Sequence, residues 1–247
     1  MLGQSVGLHS RLAPGEESST KRPWADRFAS HDGGMTSSTV STTHRDDDPR
    51  HILDRAIGTC GAVIAGVRPD QFTAPTPCSE MDVRAMVSHL IGVLGRIAAL
   101  GNGEDPFSVI ETHAPDDDWS DAWKKSGTDA ADAWRDGAVL GRPTALPWIQ
   151  GNGAEVLTSY FSELTVHTWD LAAATGQQPQ WDDTVVTAAL EARQILPAEN
   201  RRALFEEISA AMGLDEVAIP FAEAVPVHGD APAIDRLVAW NGRDPRR

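Results

Sequence analysis

The sequence predicts an all-α protein: an antiparallel four-helix bundle with a C-terminal helical and irregular extension. Two observations carry this. Apolar residues recur at spacings of three and four over several long segments, and Gly- or Pro-rich breaks separate those segments. Alternating β-branched runs, the mark of strands, are few, and no internal repeat is visible.

The first helix is expected from about Pro49, where Leu53, Ala56, Ile57, Cys60, Val63, Ile64 and Val67 line one face and Pro69 closes it. The stretch from Thr73 to Glu80 holds two prolines and reads as a stiff loop, with Ser79 or Glu80 leading into a second helix over about Asp82 to Leu100. Val83, Met86, Val87, Leu90, Ile91, Leu94 and Ile97 give that helix the broad apolar face of a bundle interior, and Gly101-Asn-Gly ends it. A third helix is expected over about Asp117 to Gly137, with Trp119, Trp123, Ala130, Ala133 and Trp134 inward. Residues 138 to 152 carry Pro143 and Pro147 and read as loop, briefly extended at Thr144-Ala-Leu-Pro. A fourth helix spans about Ala154 to Thr175 and stops at Gly176; a fifth, capped by Asp182 or Asp183, runs to about Leu196. Arg201 to Met212 and Ala233 to Trp240 read as helices on either side of irregular chain from Val217 to Val227.

Residues 1–48 are rich in Ser, Thr, Gly, Pro and mixed charge with no period, and are expected to be disordered because they cannot bury enough apolar surface to offset ordering. Met35 would serve equally as a start, leaving residues 1–34 outside the product. The expected organisation is therefore an extension over 1–48, a metal-binding bundle over 49–198 and an extension packed on it over 199–247. A formal net charge of −15 argues against nucleic acid and anionic membrane as partners. No apolar run approaches the roughly 20 residues of a membrane span, and no secretory signal is visible, so a cytoplasmic protein is expected. Two cysteines, Cys60 and Cys78, make no disulfide framework and suit a reducing compartment. Eight tryptophans stand against one tyrosine, for which the sequence offers no single physical account.

The functional signal is concentrated in Ser162-Glu163-Leu-Thr-Val-His167-Thr-Trp-Asp170. On a helix, Glu163 and His167 share one face, and Asp170 follows three residues on, where it can brace the imidazole. They lie beside the core stripe of Leu157, Phe161, Leu164, Thr168 and Leu171, so they can point into a groove between helices. His89, with Met86 three before and Val93 four after, sits at the edge of the second helix's apolar face. Three N/O donors on two helices can hold a borderline divalent ion with a position left open. The bland readings are a satisfied core histidine at His89 and a surface pair at Glu163 and His167. Asp170 can equally cap a backbone group or pair with an arginine. Cys78 in its Pro-flanked loop reads as a small buried residue, Trp169 as core, and His51, His113 and His228 as surface residues.

The segment Ala74-Pro-Thr-Pro-Cys78-Ser-Glu-Met-Asp-Val-Arg-Ala-Met-Val-Ser-His89-Leu resembles the start of the second helix in DinB-like proteins, in the branch of mycothiol-dependent maleylpyruvate isomerase and its metal-binding relatives. Glu163-Leu-Thr-Val-His167-Thr-Trp-Asp170-Leu-Ala-Ala-Ala-Thr-Gly resembles that family's second signature, and Val225 to Pro245 resembles its close. The resemblance covers roughly Pro49 to Pro245. It implies a DinB-like bundle with His89, Glu163 and His167 as ligands of a divalent metal; two imidazoles and one carboxylate suit zinc, and nickel or iron would also fit. It further implies mycothiol as a thiol cosubstrate, with a small electrophile as substrate; a monomer and a homodimer are both reasonable. Met81 replaces an aromatic common in the family, and Ala198 to Ala218 is longer than the usual connection. The expected function is metal-dependent S-transfer or isomerisation, in which a metal-held thiolate attacks the electrophile. A hydrolase using metal-bound water and a non-catalytic binding protein are the alternatives.

Overall fold

The computed structural model describes residues 48–110, 116, 118–212, 217 and 219–246. The expected disorder of residues 1–48 falls, Asp48 apart, outside the described residues, as does His113. Helix α1 is Pro49–Ala65, started by Asp48, whose carboxylate accepts the Arg50 amide, with Pro49 in the first turn. Its end falls two residues short of Val67 because Gly66 closes the helix, and Pro69 instead opens a short 3-10 turn over Pro69–Gln71.

Helix α2 spans Val83–Asn102. Its cap is Asp82, which accepts the Ala85 amide at 2.8 Å, and not Ser79 or Glu80. It runs two residues past Leu100, because Gly103, and not Gly101, takes the left-handed conformation that ends it (φ 78°). Against the expectation that no apolar run approaches the length of a membrane span, α2 is long and apolar enough to cross one by length and composition alone; 67% of its apolar window is buried inside the protein, as in a core helix. Helix α3, Trp119–Ala133, is shorter at both ends than expected, with Trp119, Trp123, Ala130 and Trp134 buried. The indole of Trp134 donates to the Ile97 carbonyl and that of Trp123 to the Ile57 carbonyl, tying α3 to α2 and α1.

Residues 143–152 are more ordered than a loop. Strands β1 (Pro143–Leu146) and β2 (Ile149–Asn152) pair antiparallel, with Pro143 opposite Asn152 and Leu146 opposite Ile149. Only β1 was legible as extended chain, since Ile149-Gln-Gly-Asn carries no alternation. Asn152 then caps α4, Gly153–Thr175, in a reciprocal pair with Glu155, and Gly176 (φ 68°) ends it. Helix α5 is Asp183–Glu191, capped by Asp182; the chain tightens to a 3-10 turn over Ala192–Ile195 before Pro197. Helices α6 (Arg201–Met212) and α7 (Ala233–Trp240) have the expected bounds.

Helices α1 to α4 form the bundle, with α2 against α3 and α4, α1 against α3 and α4, and α5 laid on α4 and α1. This is the all-α, DinB-like four-helix arrangement that the sequence implied. Helix α7 packs on α5 and α4, burying Leu237, Val238 and Ala239. Leu90, Val93, Leu94, Leu157, Phe161 and Leu164 are wholly excluded from solvent, so α2 and α4 meet across a dry seam.

Two glycines of the bundle are expected to respond oppositely to the same change. A Cβ on Gly101 would lie 2.7 Å from the Ala133 Cβ and 2.9 Å from its backbone. Gly101→Ala should therefore cost about 1–3 kcal/mol of overpacking, more than the ~1 kcal/mol that helix propensity returns. Gly58 lies on the exposed side of α1, and a Cβ added there would meet nothing within 4 Å. Gly58→Ala should raise stability by about 0.5–1 kcal/mol, and urea unfolding of the two variants checks both signs.

Candidate metal centre

The α2–α4 seam carries three polar side chains at one level. His89 comes from the middle of α2, and Glu163 and His167 from successive turns of α4. Nε2 of His89 lies 3.3 Å from a carboxylate oxygen of Glu163. The imidazole of His89 meets that of His167 edge to face, with centroids 5.1 Å apart. One donor atom from each of the three lies within 4.8 Å of the other two, the spread of ligands around a single ion. The side chains of His89 and Glu163 are 15% and 23% exposed, while His167 is sealed. Such a trio is reached from one side only.

Behind it stands a chain of polar contacts that fixes His167. Its Nδ1 lies 3.0 Å from Asp170, one turn further along α4, so the carboxylate accepts from that nitrogen. The ring stacks on Phe221 at 5.2 Å between centroids. Its Nε2 is buried and has no hydrogen-bond partner among the described residues. A neutral imidazole donating through Nδ1 presents a lone pair at Nε2, toward His89 and Glu163. Such an orphaned atom, costing about 1–3 kcal/mol if nothing binds it, fits a donor set built for an ion.

The electrostatics agree. Burial would drive the Glu163 carboxyl up, but the His89 hydrogen bond and the charges of His89, His167 and Arg96 outweigh it and hold it below the usual range. Burial lowers His167, opposed by the hydrogen bond it donates to Asp170, and so favours the neutral ring that can ligate. Burial would raise Asp170, but His167 and Arg243 together bring it below the ordinary carboxylate range.

Arg243 is the participant that sequence reasoning missed. It lies beyond α7, and its guanidinium grips Asp170 in a fork, Nε to one oxygen at 3.0 Å and Nη2 to the other at 2.6 Å. Nη1 donates to the carbonyls of Pro220 and Asn241. The only available signal was an arginine within the family-like ending Trp240-Asn-Gly-Arg243. Nothing in local spacing linked it to Asp170, 73 positions earlier.

A second trio, Cys78, His167 and Asp170, also has its donor atoms within 4.8 Å. It is a poor place for a cation, because Asp170 already engages both oxygens with Arg243. Burial also raises the Cys78 thiol, chiefly against the pull of Arg243, and keeps it protonated. Cys60 is still deeper, its thiol pushed up by burial to about 12. Both cysteines are buried as expected, and Trp169 packs half-buried against the core. His51 is exposed on α1, and His228 pairs with Asp230 at the surface.

His89 and Glu163 also form part of the wall of a cavity of about 460 Å³. Its other walls are largely apolar, with Phe107, Trp148, Phe205 and Phe221, and Arg96 and Arg193 add two guanidiniums. Among the described residues, Glu163 is the one carboxylate on that wall.

Two measurements follow. Arg243→Met would leave the Asp170 carboxylate buried without its cation and should cost about 3–5 kcal/mol; adding Asp170→Asn should recover part of that loss in a double-mutant cycle. A thiol reagent at pH 8 should label neither cysteine in the folded protein and both after denaturation, since each sulfur is buried and protonated.

Comparison with known proteins places relatives beside this chain. Two uncharacterized proteins of Mycobacterium tuberculosis, from two strains, are each 29% identical over 202 residues, covering 81% of this chain and 100% of theirs. No solved structure matches. Residues 53–172, which run from α1 through the whole donor trio, match the family described as mycothiol maleylpyruvate isomerase N-terminal domain.

Proposed function

We propose that this protein is a divalent-metal-dependent enzyme that joins a low-molecular-weight thiol of the mycothiol type to a small electrophile, or uses that thiol to isomerise it. The observation that carries the proposal is the convergence of His89, Glu163 and His167 at the edge of a cavity large enough for a small molecule. In this reading those three side chains hold the ion. Two imidazole nitrogens and one carboxylate oxygen suit zinc. When bound, such an ion lowers the pKa of a coordinated thiol and supplies a thiolate nucleophile at neutral pH.

The chain's own residues do the remaining work. Asp170 holds the His167 ring in one tautomer, and Arg243 holds Asp170 charged and in place. The aromatic wall of Phe107, Trp148, Phe205 and Phe221 excludes water from the electrophile. Neither protein thiol can serve as nucleophile, so the reacting sulfur comes from the cosubstrate.

Hydrolysis by metal-bound water is the weaker reading, because it needs a carboxylate base beside the ligands. The described cavity wall offers only Glu163, which this reading commits to the ion. The name of the matched family contains mycothiol, which supports that thiol over others.

Purified without an affinity tag, the protein should carry about one equivalent of a divalent metal by elemental analysis, and His167→Ala should carry none. With mycothiol and an electrophile, the first should yield the S-conjugate by mass spectrometry and the second should not. Inhibition by thiol together with ester or amide cleavage would favour the hydrolase. Retention of metal with neither activity would leave a binding protein.

A further inference from the structure

Tyr160 is the single tyrosine of the chain, and it sits one turn before Glu163 on α4. It forms part of the wall of the 460 Å³ cavity, edge to face with Trp148 at 6.2 Å between centroids. The residue is 2% exposed, and its hydroxyl has no hydrogen-bond partner among the described residues. The charges that act on that hydroxyl are Glu163 and Arg96, both on the same wall. Packing does not explain the oxygen. Phe161, the next residue, fills the core without one, and a phenylalanine at 160 would avoid the roughly 1–3 kcal/mol that a stranded buried hydroxyl costs.

We propose that Tyr160 is a catalytic residue whose O–H donates a hydrogen bond to the substrate oxygen on which negative charge collects during thiol attack. The protein would then prefer electrophiles activated through oxygen, carbonyl-conjugated alkenes and epoxides, over alkyl halides. The catalytic part of this inference rests on the thiol-transfer reading. The binding part, a phenol O–H receiving a ligand oxygen, does not.

The chemistry balances. The thiol loses its proton to solvent, and its sulfur forms a C–S bond with the β-carbon of the alkene. The C=C pair shifts toward the α-carbon and the carbonyl π pair onto oxygen, where the Tyr160 hydrogen bond stabilises it. Solvent returns one proton to the α-carbon, and the adduct is neutral. Displacement of a halide places the electron pair on the leaving halide instead, and no oxygen gains charge.

The test compares wild type with Tyr160→Phe, with mycothiol and either benzylideneacetone or benzyl bromide. The variant should lose about a hundredfold in kcat with the enone, the usual loss for one such donor, and stay within about threefold with the bromide. Equal losses with both electrophiles, or no loss with the enone, overturn the catalytic role. A second readout needs no turnover: the infrared C=O stretch of benzylideneacetone bound without thiol. That band should lie at lower frequency in wild type than in Tyr160→Phe, and the lowering should persist in His167→Ala and in protein stripped with a chelator. A lowering retained in Tyr160→Phe but lost with the metal would put the oxygen on the ion and overturn the assignment. Absence of any conjugate from wild type, with the infrared difference intact, would sink the thiol-transfer reading and leave Tyr160 as the oxygen-binding donor.

Discussion

A carboxylate held in the dry interior by two partners organises this molecule. Asp170 contacts His167 with one oxygen and takes a guanidinium fork from Arg243 on both. An isolated charge at that depth would be neutralised or expelled. With a cation on one side and an imidazole N–H on the other, it stays ionised and becomes a fixed reference point. Its contact with Nδ1 selects which nitrogen of His167 faces α2, and that choice sets the polarity of the α2–α4 seam. The same carboxylate, through Arg243, ties the end of the chain to the fourth helix, so packing around α7 and the geometry of the donor trio are one problem.

The cavity follows from that arrangement. Its bundle side is stiff, because α2 and α4 meet through fully buried leucines, valines and Phe161. Its far side is built from α6 and the segment around Pro220 and Phe221, which the Arg243 bond to the Pro220 carbonyl holds against the site. Phe221 stacks on His167 and also lies under the Arg243 guanidinium, at 5.3 Å from its centroid. One aromatic ring thus serves the imidazole, the cation and the ligand space at once.

How much of this the sequence disclosed depends on the range of the interaction. Helix starts and stops set by a single local residue, such as Asp182 before α5 and Gly176 after α4, were readable because the cap and the helix are neighbours in sequence. Where several residues competed, the choice went astray: Ser79, Glu80 and Asp82 can all cap, and the isolated bridge between Pro75 and Asp82 brings the loop back so that Asp82 does. The second strand escaped because its order comes from pairing with the first and not from its own pattern. Glu163, His167 and Asp170 were legible as a unit since one helix face holds all three. His89 needed the family resemblance, and Arg243 and Tyr160 needed coordinates, because a buried fork over 73 positions and a stranded hydroxyl leave no periodic trace.

The depth of the two cysteines reaches beyond the reaction. A peroxide must meet a thiolate to make a sulfenic acid, and a disulfide must meet one to exchange. Cys60 and Cys78 offer neither charge nor access, so the folded chain has no thiol through which oxidative stress can mark or crosslink it. Changes in ambient redox poise therefore do not reach the folded protein through its own cysteines.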